Sequence, residues 1–267
     1  MITKTGGIRL IINEREREFV IIEQHNHAVL SGDLFSYLQE EFFTGKELKQ
    51  DILFATQYHD CAWIGLDAAP LWDDKKNSLY SFINLPSSLK LPHYRYGIDW
   101  IEQRNKYAAL LCSRHYSSFF SNTKSEGEIK YVQYEKTRQN RLCRELGIAI
   151  EDSNIHLEIL KFLDNLSIYI CINEPGVKKS DEFPWYQNGF EGTELFSVEK
   201  SDRIVAYWLN ERYIGLTPFP FRRAFEVTVP TKIVSKCDIK EKGIIEAYKD
   251  VPLVFRTFKI GPKGSIS

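Results

Sequence analysis

The chain has 267 residues, of which 43% are hydrophobic, enough for one large domain or two modest ones with a real core. Its 35 lysines and arginines against 36 aspartates and glutamates give a formal net charge of -1. This balance does not favour a polyanion or an anionic membrane surface as a partner, so we expect no nucleic acid partner.

We expect no export signal in the amino-terminal segment. Its apolar run, Leu10 to Ile12, is flanked by charges and is not followed by a small-residue cleavage site. The strongly apolar stretch over residues 155–172 is interrupted by charged and polar residues, so we expect no membrane span. The five cysteines are scattered without a CxxC pair, which favours reduced thiols buried as small hydrophobic side chains. Together these features predict a soluble cytoplasmic protein.

The first part of the chain predicts a hairpin followed by two helices and a loop. Residues 8–22 contain two apolar runs around a charged turn, a pattern typical of two short strands. Residues 26–43 have leucines at every fourth position behind Asn26, a candidate N-cap, and a second helix is expected over 46–64. Residues 65–96 are rich in Pro, Asn, Ser and aromatic residues, which predicts a long loop over other structure.

Helical periodicity returns over residues 98–120, 130–146 and 154–172, and the second of these helices is expected to end at Gly147. The character then changes near Pro175 to β-branched and aromatic segments: RIVAYWLN, RYIGLTPFPF, AFEVTVPTKIV and VPLVFRTFKI. The charged segment DIKEKGIIEAYKD has room for a short helix. We therefore predict an α+β fold, with a mainly helical domain and N-terminal hairpin over 1–174. A β-rich region over 175–267 either packs on it as one unit or forms its own domain.

Polar groups with metal-binding capacity lie on faces that ought to be buried. All six histidines lie in the first 156 residues, and His27, His59 and His115 each share a helical stripe with apolar side chains. Asp60 follows His59 directly, and Asp164 lies on the apolar stripe of the last helix. Four predicted helices therefore each direct a potential ligand toward the core.

Each position has a simpler explanation when it is taken alone. A single histidine on an apolar face is more often a satisfied core residue, and Asp164 has Lys161 at helical spacing as an ion-pair partner. A buried unpaired carboxylate, however, costs several kcal/mol unless a cation or hydrogen-bond donors compensate it. The coincidence of these positions favours a shared metal site. A hydrogen-bond network of histidines and aspartates without metal is the alternative.

The order of a histidine, a His-Asp pair and a late aspartate on separate helices resembles the HD superfamily of metal-dependent phosphohydrolases. More closely, the segments QHNHAVLSGDL, QYHDCAWIGLDAAP, LLCSRHYSSFF, FLDNLSIYIC and LTPFPF are similar to an uncharacterised bacterial family, DUF3891. These motifs run from about residue 24 to residue 221, which is most of the chain.

The resemblance to HD proteins implies ligands for a divalent transition metal such as Fe, Mn or Zn: His27, His59, Asp60 and Asp164, with His115 as a further ligand or a neighbouring group. HD enzymes with two metals generally use additional histidines between the HD pair and the last aspartate. Here only His93 and His115 lie there, which puts a second metal in doubt.

The same resemblance implies a metal-dependent hydrolase that acts on a small phosphate-containing molecule, with Asp60 and His115 as catalytic residues. Imidazole and carboxylate ligands suit first-row divalent ions, which activate water and neutralise phosphoryl charge. The alternative is a non-catalytic protein in which the cluster holds a structural metal or senses a ligand. The sequence leaves homo-oligomerisation open.

Arg114 and Asp67 each have two possible roles, and His156 has one expected position. Arg114 either reaches a phosphate or is a solvated arginine on the flank of a helix. Asp67 either orients a ligand histidine or caps a turn. His156 follows a helix start and is expected at the surface.

Overall fold

The computed structural model describes residues 10–43, 45–80, 82–83, 85–196 and 202–264. The first two residues of the predicted hairpin, Ile8 and Arg9, lie outside them. Helices and a six-stranded sheet make up the described structure, so the predicted α+β class is confirmed.

The sheet combines both ends of the chain. Its strands are β1 (Ile11–Glu14), β2 (Glu18–Ile22), β5 (Val205–Asn210), β6 (Tyr213–Thr217), β7 (Phe225–Ser235) and β8 (Val254–Pro262), in the order β1-β2-β7-β8-β6-β5. Strands β6 and β8 pair in parallel, and the other neighbours are antiparallel. The N-terminal hairpin therefore extends the sheet of the C-terminal region. A separate two-stranded hairpin consists of β3 (Trp72–Asp73) and β4 (Ser78–Leu79).

The helices are α1 (Gln24–Phe35), α2 (Lys49–Tyr58), α3 (Ile64–Asp67), α4 (Ser87–Glu102), α5 (Lys106–Ser118), α6 (Glu126–Leu146), α7 (Asn154–Ile172), α8 (Lys236–Lys242) and α9 (Ile244–Asp250). The bounds of α7 are those predicted from its apolar stripe. α6 ends where expected, because Gly147 adopts the left-handed conformation with φ 67°. The charged segment near the C-terminus holds two short helices, α8 and α9.

The first predicted helix is shorter than its leucine pattern indicated. α1 begins before the predicted cap at Asn26 and ends at Phe35. The chain then turns toward the C-terminal region, where Leu38 forms an isolated β-bridge with Phe221 of the LTPFPF segment. Hydrogen bonds to a distant segment thus replace those of a longer helix.

The second predicted helix is interrupted. α2 ends at Tyr58, and Asp60 leaves the helical conformation with φ -105° and ψ 22°. A 3-10 turn over Cys61–Trp63 and the short α3 follow. The break coincides with a bond to another helix, because the hydroxyl of Tyr116 donates to Oδ1 of Asp60 at 2.7 Å.

The single helix predicted over residues 98–120 is two helices. α4 ends at Glu102, and Asn105 caps α5 by accepting a hydrogen bond from the backbone N–H of Ala108 at 2.8 Å. The predicted loop over 65–96 was wrong at its end, since α4 begins at Ser87. Pro86 directly precedes α4 and is compatible with a helix start, because the N–H groups at the beginning of a helix have no partner within the helix.

One core joins the helices and the inner face of the sheet. Leu34, Leu111 and Leu163 from three helices lie in the same buried cluster as Val227 and Val229 from β7. Along β7 the buried and exposed side chains alternate, as expected for a strand with one covered face. The four helices that carry the polar positions, α1, α2, α5 and α7, are thereby held against one another.

The helices and the cysteines can be compared with what the composition predicted. Within the described residues, no helix has both the length and the apolar character needed to cross a bilayer. All five cysteines are free, and Cys61, Cys112 and Cys171 are buried. Cys237 is exposed, so its predicted burial was wrong. It lies in the short, solvent-facing α8.

Close packing of α4 against the 3-10 turn beside Asp60 requires a glycine at position 97. A Cβ on Gly97 would lie 2.6 Å from Cβ of Ala62 and 3.0 Å from its backbone nitrogen. We expect Gly97→Ala to lower the free energy of unfolding by about 1–3 kcal/mol, because the backbone must shift. Urea denaturation measures this effect.

Gly127 provides the matched control, because it lies in α6 and a Cβ there would be more than 4 Å from every neighbouring element that the structure describes. Gly127→Ala should leave stability unchanged or raise it by up to about 1 kcal/mol, through higher helix propensity. Equal effects of the two substitutions would contradict the close approach at Gly97.

Candidate metal centre

The structure brings all five predicted site residues into one buried cluster. His27 comes from α1, His59 and Asp60 directly follow α2, His115 comes from α5, and Asp164 comes from α7. All five residues are buried, with at most 8% of their surface exposed. The apolar stripes explain this placement, because burying each stripe carries its polar member inward.

Asp164 lies at the middle of the cluster. Its Oδ1 is 3.2 Å from Nε2 of His27 and 3.2 Å from Nε2 of His59, and its Oδ2 is 3.3 Å from Nε2 of His115. Oδ2 of Asp60 approaches Nε2 of His27 at 3.5 Å. Three imidazoles therefore direct the same ring nitrogen toward a single carboxylate.

These separations match those between ligands of one ion. Two donor atoms that each lie about 2.1 Å from a metal are separated by about 3.0–3.4 Å at octahedral or tetrahedral angles. Charge-assisted hydrogen bonds between nitrogen and a carboxylate are usually shorter, about 2.7–2.9 Å. Two sets of potential ligand atoms each lie within 4.8 Å of one another: His27, His59 and Asp60, and His59, His115 and Asp164. The spacing is therefore compatible with coordination of one ion, while the 3.2 Å contacts also lie within hydrogen-bond range.

Three hydrogen bonds orient the adjacent pair His59 and Asp60. Nδ1 of His59 lies 2.8 Å from the carbonyl oxygen of Thr56, an acceptor, so Nδ1 carries the proton and Nε2 faces the cluster. The Tyr116 hydroxyl lies 2.7 Å from Oδ1 of Asp60 and 2.6 Å from the His59 carbonyl. This support of ligands by neighbouring donors and acceptors is typical of protein metal sites.

Electrostatics within the cluster favour a charged Asp164. Burial alone would raise the pKa of its carboxyl, but His59 and hydrogen bonds from the three histidines hold that pKa well below its usual range. Burial also opposes the charged form of His59, yet the charge of Asp164 and their hydrogen bond raise the pKa of His59 to about 9. In the metal-free protein a proton on His59 therefore occupies the place where a cation would bind.

The alternative partner considered for Asp164 does not bind it. Lys161 instead forms a salt bridge with Glu158 at 2.8 Å on the flank of α7. The histidines that surround Asp164 are its partners.

Two expectations about neighbouring residues need revision. Arg114 is not a simply solvated side chain, because it donates to the Ile150 carbonyl at 3.0 Å and to Oδ1 of Asn154 at 2.7 Å. His156 is not at the surface: it is 2% exposed, and its Nδ1 lies 2.5 Å from the Tyr107 hydroxyl. Asn154 at the start of α7 is exposed, but His156 lies on the buried face of this helix.

Asp67 holds the N-terminal end of α1 and is not bonded to a ligand imidazole in the described structure. Its Oδ2 accepts a hydrogen bond from the backbone N–H of His25 at 3.3 Å, and its side chain is buried. Burial raises the pKa of this carboxyl well above its usual range. Asp67 thus fixes the entry into the helix that carries His27.

A cleft of about 880 Å³ reaches the cluster from one side. Its floor includes His115 and Asp164, and its walls come from α4, α5, α7 and the segments around Phe82 and Trp185. This volume lies within the range of small-molecule sites. The aromatic loop predicted to cover other structure contributes Phe82 to the cleft.

Tyr116 was missed by sequence reasoning, although it is adjacent to His115 in the SRHY segment. Because its hydroxyl holds Asp60, we expect Tyr116→Phe to weaken divalent-metal binding by about 10–100-fold, the usual effect of removing a group that orients a ligand. Titration with Mn²⁺, followed calorimetrically, measures the change.

Tyr131→Phe is the control for this prediction, since the buried Tyr131 hydroxyl has no hydrogen-bond partner among the described residues. Its removal should leave the affinity for Mn²⁺ unchanged. An unaltered affinity in Tyr116→Phe as well would show that Asp60 does not depend on this hydroxyl.

Comparison with known proteins gives a family but no named function. A family model described as "protein of unknown function (DUF3891)" matches residues 10–236, which include every member of the cluster. No curated protein and no solved structure matches the chain. Because the match covers most of its length, the chain belongs to the DUF3891 family.

Proposed function

We propose that this protein is a metal-dependent hydrolase, similar to HD phosphohydrolases, that acts on a small phosphate-containing molecule. The observation that carries the proposal is the convergence of three imidazoles and two carboxylates in one buried cluster, two members of which, His115 and Asp164, line a cleft. A buried metal-binding cluster beside a cavity of small-molecule size is the usual arrangement of a metal-dependent active site.

The five side chains divide into two groups by their access to the cleft. His115 and Asp164 line it, whereas His27, His59 and Asp60 lie behind them. A divalent ion held here, with Fe, Mn or Zn as the candidates, would lower the pKa of a water molecule and neutralise charge on a phosphoryl group. His115, which lines the cleft, would contact the substrate. Asp60, which accepts a hydrogen bond from Tyr116, would hold the ion from the side away from the cleft.

Hydrolysis of phosphomonoesters tests the proposal. The protein, purified without a histidine tag, is first stripped with a chelator and then loaded separately with Mn²⁺, Fe²⁺ or Zn²⁺. We expect phosphate release from at least one member of a phosphomonoester panel with one of these ions, and none from Asp164→Asn. The absence of turnover from every loaded form would overturn the hydrolase proposal.

A non-catalytic role for a bound metal is the second candidate, and the burial of the cluster supports it. His27 is 0% exposed and His59 is 1% exposed, as in structural sites whose ligands are all supplied by the protein. In that case chelation should lower the melting temperature while no phosphomonoester is hydrolysed. The two candidates therefore differ in turnover even if both bind a metal stoichiometrically.

A further inference from the structure

The cleft beside the candidate metal centre has walls of two chemical kinds. The lining includes an ammonium group, Lys90 of α4, and the half-exposed aromatic side chains Phe119 and Trp185. The same lining includes His115 and Asp164 of the cluster, together with the carboxylates of Glu158 and Glu191. A ligand that fills the cleft thus meets a cation, an aromatic surface and the metal cluster together.

Lys90 is the cation in the cleft that is open to an anion. Its Nζ donates to the Phe82 carbonyl at 3.3 Å, and it has no salt bridge within the described part of the chain. Burial lowers the pKa of this amine, although the nearby charge of Glu128 opposes the shift, so the charged form has lost solvation that an anion would restore. Lys161, the other lysine of the cleft, already pairs with Glu158.

Phe119 supplies the apolar surface nearest the cluster. It is 52% exposed, and its ring packs edge-on against His115 with 4.7 Å between ring centroids. Trp185 is 53% exposed and packs edge-on against Phe82 at 6.2 Å. Large aromatic side chains left half exposed in a cleft gain most from a flat apolar partner.

We propose that the substrate is a phosphomonoester of an aromatic alcohol, whose phosphate binds Lys90 beside the metal centre and whose ring packs on Phe119 and Trp185. This inference rests on the proposed function for the reaction, but its binding preference stands on the cleft alone. We therefore expect the cleft to bind esters of small polyols less tightly, because they would leave its aromatic side chains exposed to water.

Binding of two non-hydrolysable probes, phenylphosphonate and methylphosphonate, tests the preference by isothermal calorimetry. The parent should bind phenylphosphonate at least about tenfold more tightly than methylphosphonate. Phe119→Ala should reduce this difference, because Phe119 supplies the part of the aromatic surface that packs against His115. Lys90→Gln should weaken both probes by about tenfold, because it removes a charged hydrogen bond to the shared anionic group.

Phe255→Ala is the matched control, since Phe255 is an exposed phenylalanine on β8, outside the cleft. It should bind both probes as the parent does. Equal affinity of the parent for the two probes, or no binding of either, would overturn the inference, and so would a ring preference that is undiminished in Phe119→Ala.

The outcome is separate from that of the hydrolase proposal. Phosphate release without a preference for aromatic esters would refute the aromatic substrate and retain the hydrolase. A Phe119-dependent preference for phenylphosphonate without turnover of any ester would retain the binding site and refute the reaction.

Discussion

Replacing Asp164 with asparagine should weaken binding of divalent metal ions by more than about hundredfold. Asp164 is the residue on which the three histidines converge, with contacts of 3.2–3.3 Å to their Nε2 atoms. Asparagine keeps the volume of the side chain but removes the negative charge that offsets a buried cation. Calorimetric titration of the stripped protein with Mn²⁺ and Zn²⁺ gives the affinity.

His156→Gln is the control for this experiment. His156 is a buried histidine of the same helix, but it contacts Tyr107 instead of the cluster. Its loss should cost stability and leave metal affinity unchanged. If His156→Gln and Asp164→Asn weakened binding equally, the effect would come from damage to α7 and not from loss of a ligand.

The affinity for metal should rise by about tenfold for each pH unit between pH 6 and pH 8, because one proton must leave for each ion bound. The pKa of His59 is raised to about 9 in the metal-free protein, so its imidazole is protonated throughout this interval. A metal needs the Nε2 lone pair that this proton occupies. The gain should end above pH 9, where His59 is already neutral. Calorimetry in two buffers of different ionisation enthalpy counts the released protons.

Stability of the metal-free protein provides an internal check, because its pH dependence has the opposite sign. The folded-state pKa of His59 lies above its ordinary value of 6.5, so its contribution is complete below about pH 6.5 and is lost as the pH rises through 9. The melting temperature should therefore fall over the interval in which metal affinity rises. A metal affinity that is independent of pH from 6 to 8 would show that His59 is not a ligand.

The candidate site could be predicted from the sequence because burial of a polar group is visible in a helical pattern. His27 and Asp164 lie within the apolar stripes of α1 and α7, and such stripes are normally buried in a globular protein. The helical pattern also placed α7 correctly, and the β-branched and aromatic composition of the last third placed the C-terminal strands. The helical pattern indicated which side chains face inward, but not the distances among them, which depend on how the helices pack.

Other features depend on contacts between distant residues and have no local signal. The predicted first helix ended early because Leu38 bridges to Phe221, far along the chain. The break after α2 places Asp60 against Tyr116, and neither residue shows this pairing in its own segment. The N-terminal hairpin likewise pairs with β7 across most of the sequence. Propensity and periodicity describe neighbours along the chain, so tertiary hydrogen bonds override them.

Anomalous diffraction from crystals of the protein loaded with Mn²⁺ or Zn²⁺, with data collected on both sides of the metal absorption edge, tests the central claim most directly. The account predicts a peak among the side chains of His27, His59, Asp60, His115 and Asp164, with ligand distances of about 2.0–2.2 Å. A fully loaded crystal with no peak there, and with the three histidines still hydrogen-bonded to Asp164, would contradict it and leave the cluster as a structural network.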